Sequence, residues 1–129
     1  MEEVLVSYLL ADVTLATLVA NRINWNERPQ IAGLPAIVLT KVSAERSYVM
    51  NGSSGLVAAR VQMDCWATSY QSSIETARAL IDILSGAKFT DGGVEFQGVF
   101  LDSERHFFEE EAAERFHRVS LDFIIWHSE

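Results

Sequence analysis

Two segments of this chain have apolar residues at every second position, and they limit the fold more than any other feature. The first has an apolar set of Val57, Ala59, Val61, Met63 and Cys65. The second, near the C-terminus, has the set Val119, Leu121, Phe123 and Ile125. A period of two matches a β-strand with one face in a core. The sequence therefore predicts a sheet with one buried face to which both sets contribute.

Two other segments have the spacing of helices. Apolar residues recur at intervals of three and four over residues 3–20, and Asp12 and Thr14 interrupt that pattern. We expect a helix that breaks or bends near Asp12, a residue type that caps helices. A second helix is predicted by one apolar stripe that ends before Gly86: Ile74, Ala77, Leu80, Ile81 and Leu84.

Turn residues divide the rest of the chain into strands. A short strand is predicted at 22–26 and a buried one at 36–42 after Pro35, and residues 51–55 form a hairpin turn before the first alternating segment. Residues 91–93 are a turn before a strand at 94–108, with a bulge near Gly98. We therefore predict one α+β domain over 1–129, a mostly antiparallel sheet of four to five strands with two helices packed on one face.

The acidic residues are concentrated at one end of the sequence. The chain has 129 residues and a formal net charge of −8. Residues 1–90 have eight acidic and seven basic residues, whereas residues 91–129 have ten acidic residues and three arginines, a net of −7. So few clustered lysines and arginines argue against electrostatic binding to nucleic acid or to an anionic membrane.

Several other classes are disfavoured by the sequence. No apolar run approaches the roughly 18–20 residues of a membrane span, and the acidic start Met1-Glu2-Glu3 is unlike a secretory signal. Cys65 is the single cysteine, so we expect neither an internal disulfide nor a cysteine-based zinc site. We expect the chain to fold in a reducing cytoplasm and to need no cofactor.

The sequence contains only weak indications of a catalytic or metal-binding site. Asp102, Glu104 and His106 lie at period two, so on a regular strand they would share one face and would suit a metal, as in a small metal-dependent enzyme. A solvated strand face is the alternative that we favour. Cys65 lies among apolar residues of its strand, which indicates a core thiol rather than a nucleophile.

Other residues point to surfaces where subunits meet. Trp66, Ile124 and Trp126 fall on the polar faces of their strands, where either a covering helix or a subunit contact would explain them. The hairpin tips are the other candidate contacts, and the tip at 109–114 is strongly acidic. The candidate interface residues at the tips are Tyr48, Asn51, Glu109, Glu110, Glu111 and Glu114.

Four stretches of the chain resemble the tail completion, or tail terminator, proteins of long-tailed phages, prophages and gene transfer agents. They are Leu9–Ile23, Leu34–Leu39, Arg60–Ala67 and Phe116–Trp126, and the Arg-x-Gln-x-Asp-x-Trp strand before a helix is the most distinctive. None of them is a catalytic motif. The resemblance implies a structural virion protein, assembled in the host cytoplasm, rather than an enzyme.

The resemblance also implies a place in the particle. Such proteins form a ring, typically of six subunits, on the head-proximal end of the tail tube. The ring ends tube polymerisation and docks on the head connector or stopper protein, with DNA passing through its lumen as cargo. A related neck or minor tail component of the head–tail joint is the alternative. An acidic lumen would have no cations with which to hold the passing phosphates.

Overall fold

The computed structural model describes residues 1–26, 35–50, 52–111 and 114–128; for residues 48, 49, 53, 54, 109–111 and 114 it describes the backbone only. The chain forms three helices, α1 (Glu2–Leu10), α2 (Val13–Val19) and α3 (Tyr70–Leu84). It also forms six strands: β1 (Ile23–Trp25), β2 (Ala36–Val49), β3 (Gly52–Ala67), β4 (Phe89–Asp91), β5 (Val94–Glu111) and β6 (Glu114–Ser128). Among the described residues, no helix is long and apolar enough to span a membrane.

One sheet contains all six strands, in the order β1-β2-β3-β6-β5-β4. Only the β1–β2 pair is parallel. The predicted fold class, α+β with a mostly antiparallel sheet, is confirmed. The sheet has one strand more than the upper prediction because Phe89–Asp91 pairs with the start of β5, and three residues are too short to show a periodicity.

The predicted break in the first helix is confirmed and separates α1 from α2. Asp12 is the N-cap of α2, and its Oδ1 accepts a hydrogen bond of 3.0 Å from the Leu15 backbone N–H. The second predicted helix begins after Ser69, whose Oγ accepts a hydrogen bond from the Ser72 N–H. It ends before Gly86, which adopts a φ of +76° as expected of a residue just past a helix C-terminus.

The core lies between the helices and one face of the sheet, which we call the helix face. Both alternating apolar sets are buried there, as predicted, together with residues of each helix: Leu5, Leu9, Leu15, Val19, Leu80 and Leu84. Leu80 is fully buried, and the cost of truncating such a side chain is about 2–5 kcal/mol. The opposite side, which we call the second face, has no helix over it in the described parts of the chain.

The bulges lie on β2 and β5, apart from an irregularity where Ser47 of β2 faces residues 54–56 of β3. The ladder between β3 and β6 has no register shift, whereas β2 shifts at Val42 and Ser47 and β5 shifts at Gln97 and Asp102. The bulge predicted near Gly98 is therefore confirmed. An extra residue in a bulge reverses which face the following side chains occupy.

The cap of α2 can be tested by substitution. We expect Asp12→Ala to lower the free energy of unfolding by about 1 kcal/mol, because the Leu15 N–H loses its acceptor. Asp12→Asn keeps a capping oxygen and should stay within a few tenths of a kcal/mol of the parent. Urea unfolding followed by circular dichroism measures both, and equal losses in the two variants would contradict the capping role.

Candidate interaction surface

The second face of the sheet has a charged centre. Arg60 Nη1 donates to Asp102 Oδ2 at 2.8 Å across β6, and this hydrogen bond raises the pKa of Arg60. Asp122 Oδ2 lies between the two arginines and accepts from Arg105 Nη2 at 3.4 Å and from Ser103 Oγ at 3.1 Å. The centre of this face is therefore a set of ion pairs, in which Asp122 Oδ1 is buried and has no hydrogen-bond partner among the described residues.

Apolar side chains lie at one end of this face and form what we call the aromatic platform, made of Phe100, Ile124 and Trp126. Trp126 is opposite Gly98 and Phe100 is opposite Ile124 in the β5–β6 ladder. A Cβ on Gly98 would lie 2.9 Å from the Phe100 ring, so the glycine lets that ring fold over the backbone. Phe100 is 52% exposed and Trp126 is 37% exposed. Adjacent exposed aromatics of this kind mark contact surfaces.

Trp66 does not belong to this platform. On β3 it lies eight residues beyond Ala58, the partner of Trp126, which is about 27 Å at about 3.4 Å per residue. It is 8% exposed and packs edge-on against Phe116, with Val38 in the same cluster. The guanidinium of Arg118 lies 5.2 Å from the Trp66 ring centroid. Trp66 therefore already packs against neighbours within its own chain.

The other candidate residues lie at the hairpin tips. The strands of the acidic hairpin continue to Glu111 and resume at Glu114, and Tyr48 pairs with Ser53 in the β2–β3 hairpin. For Tyr48, Glu109, Glu110, Glu111 and Glu114 only the backbone is described, and Asn51 lies outside the described residues. The two tips project at opposite ends of the sheet, since each begins where the β3–β6 pairing stops.

The period-two triad of Asp102, Glu104 and His106 is not brought together. Asp102 is the extra residue of a bulge, and its carboxylate turns to Arg60 on the second face. Glu104 and His106 follow the bulge on the helix face, where His106 Nε2 and Glu104 Oε2 are 2.8 Å apart. The expectation of a shared face is therefore wrong for Asp102. Within the described residues, no three His, Cys, Asp or Glu side chains converge on a metal position.

The two histidines of this hairpin lie on either side of one tyrosine. Ring centroids of His106 and His117 are 6.3 Å and 5.9 Å from that of Tyr70, the first residue of α3. Phe108 stands opposite His117 in the ladder, with their ring centroids 5.0 Å apart. The cluster therefore connects the base of the acidic hairpin to the helix.

Cys65 is fully buried on the helix face, as the alternation predicted. Burial in this apolar core raises the pKa of its thiol far above the ordinary value, and the neighbouring Asp64 adds to the rise. A thiol held in its protonated form is not a nucleophile. Cys65 therefore contributes to packing.

The family model for the tail completion protein gp17 matches residues 3–128, so the chain belongs to the tail completion protein gp17 family. It is a non-enzymatic structural component of a tailed virion. The resemblance read from the four sequence stretches is confirmed.

The fold is shared with a solved virion chain. A chain from the structure "Virion of native gene transfer agent (GTA) particle" superposes with a TM-score of 0.76 and 18% sequence identity. The match covers 100% of this chain and 95% of that one. No curated protein matches the sequence.

The burial of Cys65 makes a testable prediction. The folded protein should not react with a thiol reagent at pH 8, and guanidinium should expose the thiol to complete reaction. Because the thiol pKa is higher in the folded state than in the unfolded state, this group's contribution to stability is full below about pH 8.5 and declines as the pH rises above it. Rapid labelling of the native protein would contradict the assignment.

Proposed function

We propose that copies of this chain form a ring, of six subunits as the resemblance implies, at the head-proximal end of the tail tube. The ring ends tube polymerisation and presents a docking surface to the head connector, and the genome passes through its lumen. The aromatic platform is the observation that carries the assembly step. Family membership supports a role in completing the tail.

The platform supplies what a ring contact needs. Exposed apolar area stabilises an association by about 25 cal/mol per Å² when it is buried, and tryptophan is enriched among the residues that dominate binding energy. Trp126 and Phe100 have no described helix above them, and the charged centre beside them sets a polar border. A hydrophobic centre with a charged rim is the usual anatomy of a specific contact.

The charge distribution supports a position beside DNA. Of the formal charge of −8, the last 39 residues contribute −7, and four glutamates cluster at the β5–β6 tip. If these tips face the lumen of the ring, the copies concentrate negative charge around one axis. DNA then slides past a wall that repels its phosphates, because acidic residues outnumber arginines ten to three in this part of the chain. A ring with residues 109–114 on its outer rim would contradict this arrangement.

The proposal can be tested by deleting the gene for this chain and examining the particles that form. Without a terminator, tube polymerisation has no stop, so we expect tails longer than those of the parent and heads without tails. Electron microscopy measures tail length and the fraction of joined particles, and expression of the intact chain in trans should restore both. Tails of normal length in the deletion would contradict the terminator role.

The platform can be tested separately with point variants. We expect Trp126→Ala to weaken self-association at least tenfold, which corresponds to about 1.4 kcal/mol, because one interface aromatic is removed. Val13→Ala, at an exposed position of α2 away from the second face, is the control and should assemble like the parent. Light scattering measures the mass and circular dichroism confirms folding. Unchanged assembly of Trp126→Ala would exclude the platform from the contact.

A further inference from the structure

The acidic hairpin leaves the sheet at a short segment that we call the root, formed by residues 106–108 of β5 and 116–118 of β6. The β3–β6 ladder ends at the pair Ala67–His117, and β5 pairs only with β6 at this point. Within the described residues, β5 and β6 therefore continue beyond the root as a two-stranded ribbon. Because an isolated two-stranded hairpin is only marginally stable in water, the direction of this ribbon depends on contacts at the root.

On the second face, Trp66 of β3 packs against the root. Its ring lies edge-on to Phe116 of β6, with the ring centroids 6.2 Å apart. The guanidinium of Arg118 lies between two rings, with its carbon 5.2 Å from the centroid of Trp66 and 4.4 Å from that of Phe107 on β5. Because an aromatic face attracts a cation, Arg118 links the two rings. Trp66 is therefore joined to β6 directly and to β5 through Arg118.

Two residues that precede Trp66 on the same face orient this arginine. Asp64 Oδ1 lies 3.9 Å from Arg118 Nη1, and Gln62 Nε2 donates to the two Asp64 carboxylate oxygens at 3.2 and 3.0 Å. Asp64 is buried, and these partners hold its carboxylate in place. Gln62, Asp64 and Trp66 are three of the four fixed residues of the Arg-x-Gln-x-Asp-x-Trp sequence. Most of this motif therefore acts on the root of the acidic hairpin.

On the helix face, Tyr70 packs against the root from the start of α3. Its ring centroid is 5.9 Å from that of His117 and 6.3 Å from that of His106, and His117 also packs on Phe108. Two clefts of about 220 and 280 Å³, both lined by Tyr70, lie between the root and α3. The tyrosine ring therefore bridges a gap that the core does not fill.

We propose that the junction between β3 and α3 is a clamp that sets the direction of the acidic hairpin. Trp66 and Tyr70 are only four residues apart in the chain, yet they pack on opposite faces of the root. One short junction therefore holds the ribbon from both sides. Trp66, Tyr70 and Arg118 are positioning residues, because they act on the acidic tip through the root. This inference rests on the proposed ring, in which the tips face the lumen.

A clamp has a clear use in the proposed ring, because the tips of neighbouring copies repel one another. Glu109, Glu110, Glu111 and Glu114 give every tip four carboxylates, and all copies have the same charge. Like charges that are brought around one axis push flexible segments apart. A ribbon free to pivot at its root would turn away from the lumen, whereas a clamped ribbon keeps its tip at a fixed distance from the axis.

Hydrogen–deuterium exchange of the intact chain, read by mass spectrometry, tests the clamp. We expect Tyr70→Ala to raise the exchange rate of the backbone amides at 107–117 at least tenfold, because the ribbon loses its support on the helix face. Trp66→Leu, which removes the aromatic ring but keeps an apolar side chain, should do the same. Tyr70→Phe keeps the ring, and Gln71→Ala changes the exposed neighbour of Tyr70, so both controls should exchange like the parent.

The outcomes separate the clamp from the proposed ring. Hairpin amides that exchange in Tyr70→Ala and Trp66→Leu as slowly as in the parent would overturn the clamp, and so would an equal acceleration throughout β3 and α3. In particles that carry Tyr70→Ala, we expect electron microscopy maps to show a closed ring with weakened density at 109–114. A ring with fully ordered tips would overturn the clamp and leave the ring standing. Parent particles without a ring would overturn the proposed function, while the exchange rates alone decide the clamp.

Discussion

The pairing of β3 with β6 is the interaction on which the rest of this structure depends. It joins twelve consecutive residue pairs, from Leu56–Ser128 to Ala67–His117, without a bulge. Alternate residues of both strands build the floor of the core on which the helices pack. The pair also connects the β2–β3 hairpin to the C-terminal hairpin, so both protruding tips are positioned by this one ladder.

The same ladder explains which functional residues can act together. It separates Trp66 from Trp126 by most of the sheet's length, so one tryptophan packs with Phe116 and the other lies in the aromatic platform. The bulges at Val42, Gln97 and Asp102 lie on β2 and β5. They therefore redirect side chains of those two strands and leave the β3–β6 ladder regular. The bulge at Gln97 places the Phe100 ring over Gly98, the β5 partner of Trp126, and the bulge at Asp102 turns that carboxylate toward Arg60.

The sequence predicted what depends on local periodicity. The alternation of β3 and β6, the break at Asp12 and the Gly98 bulge all followed from residue types and spacing, as did the core position of Cys65. The bulge at Asp102 could not be predicted, because no glycine or turn residue marks it. Phe100 was not predicted as a surface residue, because its exposure depends on its cross-strand pairing and on the space above Gly98. A three-residue strand such as β4 has no pattern of its own.

A protein of the tail completion family has to work through contacts, and the sheet supplies unlike ones. Its second face combines ion pairs with an aromatic platform, and its acidic residues are concentrated in the last two strands. The proposed ring requires two unlike surfaces that meet head-to-tail, because contacts of that kind can close on themselves. The most direct test is a cryo-electron microscopy map of the intact particle. The account predicts density for this chain as one closed ring between the tail tube and the head connector, with the residue 109–114 tips toward the lumen; density elsewhere on the tail, or copies that do not touch, would contradict it.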